Sequence, residues 1–117
     1  MQGNTKKVLI AEDDKTVREL LCDFLKLSGF KTYCADNGIS ALKLARKMHF
    51  DIIIADYYMP GMDGIELVKN IRTYFPDTLI IGISGNCSKG DFLRAGASAF
   101  LPKPFRLQEL TSLFEKI

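Results

Sequence analysis

The feature that most constrains this chain is an alternation, repeated five times, of short strand-like runs with longer stretches whose apolar residues recur every three or four positions. Lys7 to Ala11, Lys31 to Ala35, Ile52 to Ala55, Leu79 to Ile83 and Ala99 to Leu101 read as strands. The first, third and fourth are apolar without a polar face, the pattern of strands covered on both sides. Between them, Val17, Leu20, Leu21, Phe24 and Leu25 mark a helix from Lys15 to Ser28, with Gly29 as its C-cap. Asn37-Gly38 reads as a turn ahead of a helix from Ser40 to Met48, whose Leu42, Ala45 and Met48 face inward. Asp63 is placed to cap a third helix carrying Ile65, Leu67, Val68, Ile71 and Phe75, which Pro76 stops. Ser88 to Ala95 is a short, weak helix, and Arg106 to Lys116 a final one with Leu107, Leu110, Leu113 and Phe114 at helical spacing.

Buried strands alternating with helices require a parallel sheet with helices on both faces, an α/β sandwich of three layers. The common strand order for five such units is 2-1-3-4-5, with a crevice beyond the carboxyl ends of strands 1 and 3, where the winding reverses and ligands bind. A chain of 117 residues, 47% hydrophobic and 26% charged, has room for one such core and no second domain. The expectation is a single domain over residues 1–117 with its core from about 6 to 116, the five-unit pattern defining the limits.

Other classes are poorly matched. The net charge is +2 and the basic residues are dispersed apart from Lys6-Lys7, so no basic face predicts direct nucleic-acid binding. The longest apolar runs fall well short of the ~20 residues of a membrane span, and acids at positions 12–14 leave no place for a secretory apolar segment. Cys22, Cys34 and Cys87 are odd in number and match no zinc or redox spacing. They read as small neutral fillers in a reducing, cytoplasmic setting.

Charge tests the topology. Glu12, Asp13 and Asp14 follow strand 1 and Asp56 follows strand 3, so the predicted crevice gathers as many as four carboxylates, with Asp36 outside the group. Crowded carboxylates need a counter-charge, and oxygen-only ligands at a polar crevice suit Mg²⁺, with Mn²⁺ as the alternative ion. Ser84 at the end of strand 4 and Lys103 just after strand 5 converge on the same edge. Taken singly, an acid after a strand is most often a helix cap, Lys103 a surface lysine and Ser84 a turn residue. Four strand ends supplying carboxylates, a hydroxyl and an ammonium to one crevice instead describe a phosphoryl-transfer site with a carboxylate nucleophile.

These residues carry a family resemblance. Val8-Leu9-Ile10-Ala11-Glu12-Asp13-Asp14, Asp51-Ile52-Ile53-Ile54-Ala55-Asp56, Met59-Pro60-Gly61-Met62-Asp63-Gly64, Ile83-Ser84-Gly85, Gly96-Ala97 and Lys103-Pro104-Phe105 together resemble a response-regulator receiver domain of two-component signalling, over nearly the whole chain. The resemblance implies a flavodoxin-like, doubly wound (βα)5 fold. It implies Asp56 as phosphoacceptor, Glu12 and Asp13 as Mg²⁺ ligands with the Tyr58 backbone carbonyl, and Asp14 as a cap. It further implies that Ser84 and Lys103 contact the phosphoryl group, that the Lys103–Pro104 bond is cis, and that Ser84 and Phe100 form the switch. The partners implied are a sensor histidine kinase or phosphotransfer protein, an output domain or downstream target protein, and a second copy through the helix 4–strand 5–helix 5 face.

Two positions that tune acyl-phosphate lifetime in the family hold Tyr58 and Asn86, and a bulky Tyr58 predicts slow self-dephosphorylation. The stretch from Ser84 to Lys103 is shorter than the family's by about one helical turn, which leaves partner choice and dimer mode open. His49 falls at the end of the second helix, a surface position, and Tyr57 is expected to pack beneath the loop that follows it. Two other functions stay in view. One is a phosphorylation-independent interaction module of the same fold. The other is an aspartate-nucleophile phosphatase, which would need a second acid where this chain has Tyr58.

Overall fold

The computed structural model describes residues 5–85 and 88–115. Five strands, β1 (Lys7–Ala11), β2 (Lys31–Ala35), β3 (Ile52–Asp56), β4 (Leu79–Ser84) and β5 (Ala99–Pro102), alternate with α1 (Lys15–Leu27), α2 (Gly38–Lys47), α3 (Gly64–Tyr74), α4 (Lys89–Ala95) and α5 (Leu107–Phe114). The sheet is wholly parallel with the order β2-β1-β3-β4-β5. This is the flavodoxin-like, doubly wound arrangement expected from the alternation.

Alternation along each strand divides the core into two layers. Leu9, Ala11, Ile53, Ala55 and Ile80 face α2, α3 and α4, meeting Ala41, Ala45, Leu67, Val68, Ile71 and Phe92. Val8, Ile10, Ile52, Ile54, Ile81 and Ile83 face α1 and α5, meeting Leu21, Leu25, Leu110 and Phe114. Both sides of the central strands are therefore dry, and β3 and β4 are buried along their whole length.

Helix boundaries show where local chemistry was ambiguous. Asn37-Gly38 opens α2 instead of forming a separate turn, because the Asn37 Oδ1 accepts the Ser40 N–H at 2.8 Å as an N-cap. Ser28, rather than Gly29, is the C-cap of α1; Gly29 follows it with φ of +99°. Asp14 caps α1 through the Val17 N–H at 3.1 Å and Asp63 caps α3 through the Glu66 N–H at 2.9 Å. Strand β5 runs one residue further than its apolar run, since Pro102 stays in register with Ser84. Cys22 on α1 and Cys34 on β2 are joined as a disulfide with Cα atoms 7.1 Å apart, which corrects the reading of the cysteines as unpaired fillers. The pairing arises from the stacking of α1 on the sheet, and sequence spacing carries no record of it. Cys87 lies outside the described residues.

At the opposite end of the sheet from the strand carboxyl ends, one side chain joins α3 to the two connections that lead into β4 and β5. Arg72 on α3 donates to the carbonyls of Gly96 (2.9 Å), Phe75 (3.1 Å), Pro76 (2.8 Å) and Thr78 (2.8 Å), and to Ser98 Oγ at 3.2 Å. Its guanidinium pKa is lowered by burial, with Asp77 acting against that shift. A planar fork can satisfy several carbonyls that an ammonium cannot span. Arg72→Ala is therefore expected to lower unfolding free energy by about 2–4 kcal/mol in urea, because charged-donor bonds are worth more than neutral ones and their acceptors are left partly unpaired. Arg72→Lys should recover less than half of that loss; an alanine variant as stable as the parent would contradict the account.

Candidate functional site

The sheet register builds the site. Ala11 and Ala55 are partners across β1 and β3, so the residues that follow them, Glu12 and Asp56, leave the sheet side by side. Asp56 is in turn the partner of Ile83 on β4, which puts Ser84 one step beyond it. Lys103 follows β5, and its N–H donates to the Ser84 carbonyl at 2.9 Å, while the Lys103–Pro104 bond is cis.

Carboxylate oxygens of Glu12, Asp13 and Asp56 come within 4.8 Å of one another. Glu12 is fully buried, Asp56 is buried and Asp13 is exposed at the rim. The Lys103 ammonium bridges the two buried acids, at 2.9 Å from Glu12 Oε1 and 3.1 Å from Asp56 Oδ1. The other Glu12 oxygen accepts the Asp14 N–H at 3.2 Å, and the Glu12 N–H reaches the Ala35 carbonyl at 3.0 Å. Arg18, one turn into α1, donates to the carbonyls of Glu12 (3.0 Å) and Asp13 (3.3 Å). It fixes the backbone that carries both acids.

Burial holds the Glu12 carboxyl above its ordinary pKa of 4.5; Asp56 repels it in the same sense, while the Lys103 hydrogen bond and charge and the Asp14 N–H act the other way. Burial alone would lower the Lys103 ammonium, but its bonds to Glu12 and Asp56 outweigh that and raise it. Three carboxylates facing one ammonium leave the crevice short of positive charge. An all-oxygen, half-open donor set of this kind fits a hard divalent cation.

Chain packing holds the site floor. Gly64 lies so close to the Asp56 carbonyl that a Cβ there would overlap it, and its N–H donates to the Tyr57 carbonyl at 2.9 Å. The loop after β3 can fold back beneath the acid only with glycine at this point. Tyr57 packs edge-on against Phe92, with centroids 6.5 Å apart, and against Tyr58 at 5.0 Å, in keeping with a packing role under the loop. The Tyr58 side chain itself is 63% exposed beside the crevice. Ser84 is buried at the strand end, and Phe100 lies half-buried on β5 with its ring 5.7 Å from that of Phe92. Asp14 and Asp36 stand outside the carboxylate group, and His49 lies exposed at the far end of the sheet, 3.5 Å from Asp51. Asn86 lies outside the described residues.

Arg18 is the contributor that pattern reading did not single out, and Gly64 stands there only as the last residue of the 59–64 motif, with no packing role. Arg18 is one of three basic residues on the amphipathic α1, with Lys15 and Lys26, and only the tertiary placement of the carbonyls distinguishes it. Among the described residues no helix is long and apolar enough to cross a membrane.

Residues 8–115 match the model of the response regulator receiver domain. The chain is 35% identical over 113 residues to the regulatory protein AtoC of Escherichia coli, covering 94% of this chain and 24% of AtoC. It is 34% identical over 117 residues to the chemotaxis protein CheY-3 of Vibrio cholerae, covering 95% of this chain and 90% of CheY-3. AtoC and the response regulator FleR of Pseudomonas aeruginosa are about four times as long as the stretch they share with this chain. Among solved structures, the response regulator TrrA of Thermotoga maritima in complex with Mg²⁺–BeF superposes with a TM-score of 0.89 at 31% identity, covering 96% of this chain and 98% of that one. Vibrio cholerae CheY4 gives 0.90 at 30% identity, covering 97% and 99%.

The electrostatics make a testable prediction in metal-free protein. Removing one carboxylate relieves repulsion that the sheet does not allow the acids to escape, so Asp56→Asn in EDTA should raise unfolding free energy by about 1 kcal/mol. The raised Glu12 pKa has a definite sign: its contribution is full below 4.5 and is lost as pH rises through the folded-state value. Urea titrations in EDTA should show the parent losing stability relative to Glu12→Gln as pH goes from 4.5 to neutrality; a gap that widens in the parent's favour would contradict this.

Proposed function

Because the chain belongs to the response regulator receiver domain family, we propose that Asp56 is its phosphoacceptor and that the surrounding residues work as a Mg²⁺-assisted phosphoryl site. Receiver domains are phosphoacceptor switches of two-component signalling that bind Mg²⁺ at an acidic site and interact with histidine kinases and output domains. The observation that carries the assignment to Asp56 is the Lys103 bridge, an ammonium 3.1 Å from that carboxylate and 2.9 Å from Glu12 beside it.

In the proposed reaction an Asp56 oxygen attacks phosphorus in a phosphohistidine of a sensor kinase or phosphotransfer protein. The P–N bond breaks, its electron pair stays on the imidazole, and an acyl phosphate forms. Glu12, Asp13, Asp56 and the Tyr58 carbonyl would hold Mg²⁺, which neutralises charge developing on the phosphoryl oxygens. Lys103 then turns from the bare carboxylates to the phosphoryl oxygens, and the Ser84 hydroxyl donates to them. A new dianion at Asp56 favours the arrangement in which Ser84 lies inward and the Phe100 ring follows it. The domain acts on its own carboxylate, a switch rather than a turnover enzyme. With Tyr58 in place of a second acid, nothing favours the phosphatase alternative. A homodimer through α4, β5 and α5, a downstream target protein and any attached output domain belong to the same proposal.

Two experiments test it. Acetyl phosphate with Mg²⁺ should phosphorylate the parent, read by phosphate-affinity electrophoresis; Asp56→Asn and EDTA should each abolish the band, and undiminished labelling of the variant would refute the assignment. Tyr58, exposed beside the crevice, is placed to screen the acyl phosphate from water. The isolated phosphoprotein should then lose phosphate slowly and Tyr58→Gly roughly tenfold faster, equivalent to ~1.4 kcal/mol in barrier. Decay of the parent within seconds would contradict the screening role.

A further inference from the structure

Strand β4 contains a glycine, Gly82, between Ile81 and Ile83, in an otherwise apolar strand where a missing side chain weakens the sheet. Its neighbours in register are Ala55 on β3 and Phe100 on β5, so the sheet has a notch on that face. The Phe92 ring fills it. A Cβ at Gly82 would overlap that ring, and the ring's far end lies 3.1 Å from where a Cβ of Gly64 would stand. Phe92 is fully buried, with the Tyr57 ring edge-on at 6.5 Å and the Phe100 ring at 5.7 Å.

Apart from the Arg72 bond to the Gly96 carbonyl at its C-cap, the helix that carries this ring has little else to hold it. α4 has seven residues and no side-chain N-cap, and it buries only Phe92 and Ala95. A helix so short is unstable by itself and takes its position from its tertiary contacts. Phe92 touches the residue after Asp56, the glycine that opens α3 against the Asp56 carbonyl, the strand residue two before Ser84, and Phe100. Those are the segments that a change at Asp56 would move.

We infer that Phe92, seated in the Gly82 notch, is the positioning residue that makes α4 follow the state of the Asp56 site. The inference rests on the phosphoacceptor reading above and adds to it the part that carries the change outward. In a close-packed interior a ring wedged among four segments cannot stay still while two of them move, whereas a smaller or displaced side chain can. Gly82 is the other half of the device, since any side chain there expels the ring.

The test is amide NMR of the full chain, with Mg²⁺ and beryllofluoride as the probe for the phosphoryl group. In the parent, signals of Glu12, Asp13 and Tyr57 should shift together with those of residues 89–95 and with the Phe92 ring. In Phe92→Leu, which keeps an apolar side chain but removes the ring edges, and in Gly82→Ala, which displaces the ring, the Glu12, Asp13 and Tyr57 shifts should persist. The shifts of residues 89–95 should fall by roughly half or more, a loss of coupling with the binding site intact. Shifts of residues 89–95 at parental size in either variant would overturn the inference and leave the phosphoacceptor reading standing. A Phe92 ring signal that stays still in the parent would do the same without any variant. Absence of shifts at Glu12, Asp13 and Tyr57 in the parent would overturn the phosphoacceptor reading, and this coupling with it.

Discussion

The structure turns on a conflict between the sheet and charge. Hydrogen bonding of β1 to β3 brings Glu12 and Asp56 out of the sheet as neighbours, and the apolar strands behind them fix that position. Two buried carboxylates cannot move apart without breaking the ladder, and Asp13 adds a third at the rim. The cost is met by a positive charge brought from the far edge. Lys103 reaches back from the end of β5 across the Ser84 strand, and Arg18 holds the Glu12–Asp13 backbone from the other side. A divalent ion held in the crevice would relieve the remaining negative charge and so add to the stability of the whole fold.

Much of this was legible in the sequence, because the signals were of the robust kind. The runs around Ile10, Ile53 and Ile81 are short and rich in β-branched residues, which favours buried strands over helices, five such units constrain the winding, and the winding determines which strand ends share a crevice. Glu12, Asp56, Ser84 and Lys103 all follow from that step, and Asp14 as a cap from its position ahead of a helix. What escaped was contact made sideways. Arg72 looks like a surface base at a helix end, yet it joins the α3 end to the segments that lead into β4 and β5. Cys22 and Cys34 meet only because α1 lies on the sheet beside β2. Asn37 shows the limit of local chemistry: the same side chain serves a turn or an N-cap, and the choice is made by packing of α2.

The two faces of the sheet are built differently, and the difference bears on signalling. Long α1 is amphipathic and well capped, and with α5 it covers one layer of aliphatic side chains edged by Phe30 and Phe114. The other layer ends at α4, the shortest helix, whose hold on the sheet is largely one aromatic ring in a glycine notch. A switch needs an element of low local stability next to a rigid one. The acidic crevice lies between a well-capped α1 side and the short α4 side, so on the proposed phosphoacceptor role α4 is the element placed to yield to a charge added at Asp56.

The central claim is that Asp56, among the carboxylates crowded by the sheet, is the one that becomes an acyl phosphate. It is tested most directly by borohydride trapping after brief exposure to acetyl phosphate and Mg²⁺, since hydride reduces an aspartyl phosphate to homoserine and leaves free carboxylates untouched. Peptide mass spectrometry should find homoserine at position 56 and at no other acid. Homoserine at Glu12's neighbour Asp13 or at Asp14, or its absence from position 56 in protein shown to carry phosphate, would contradict the account.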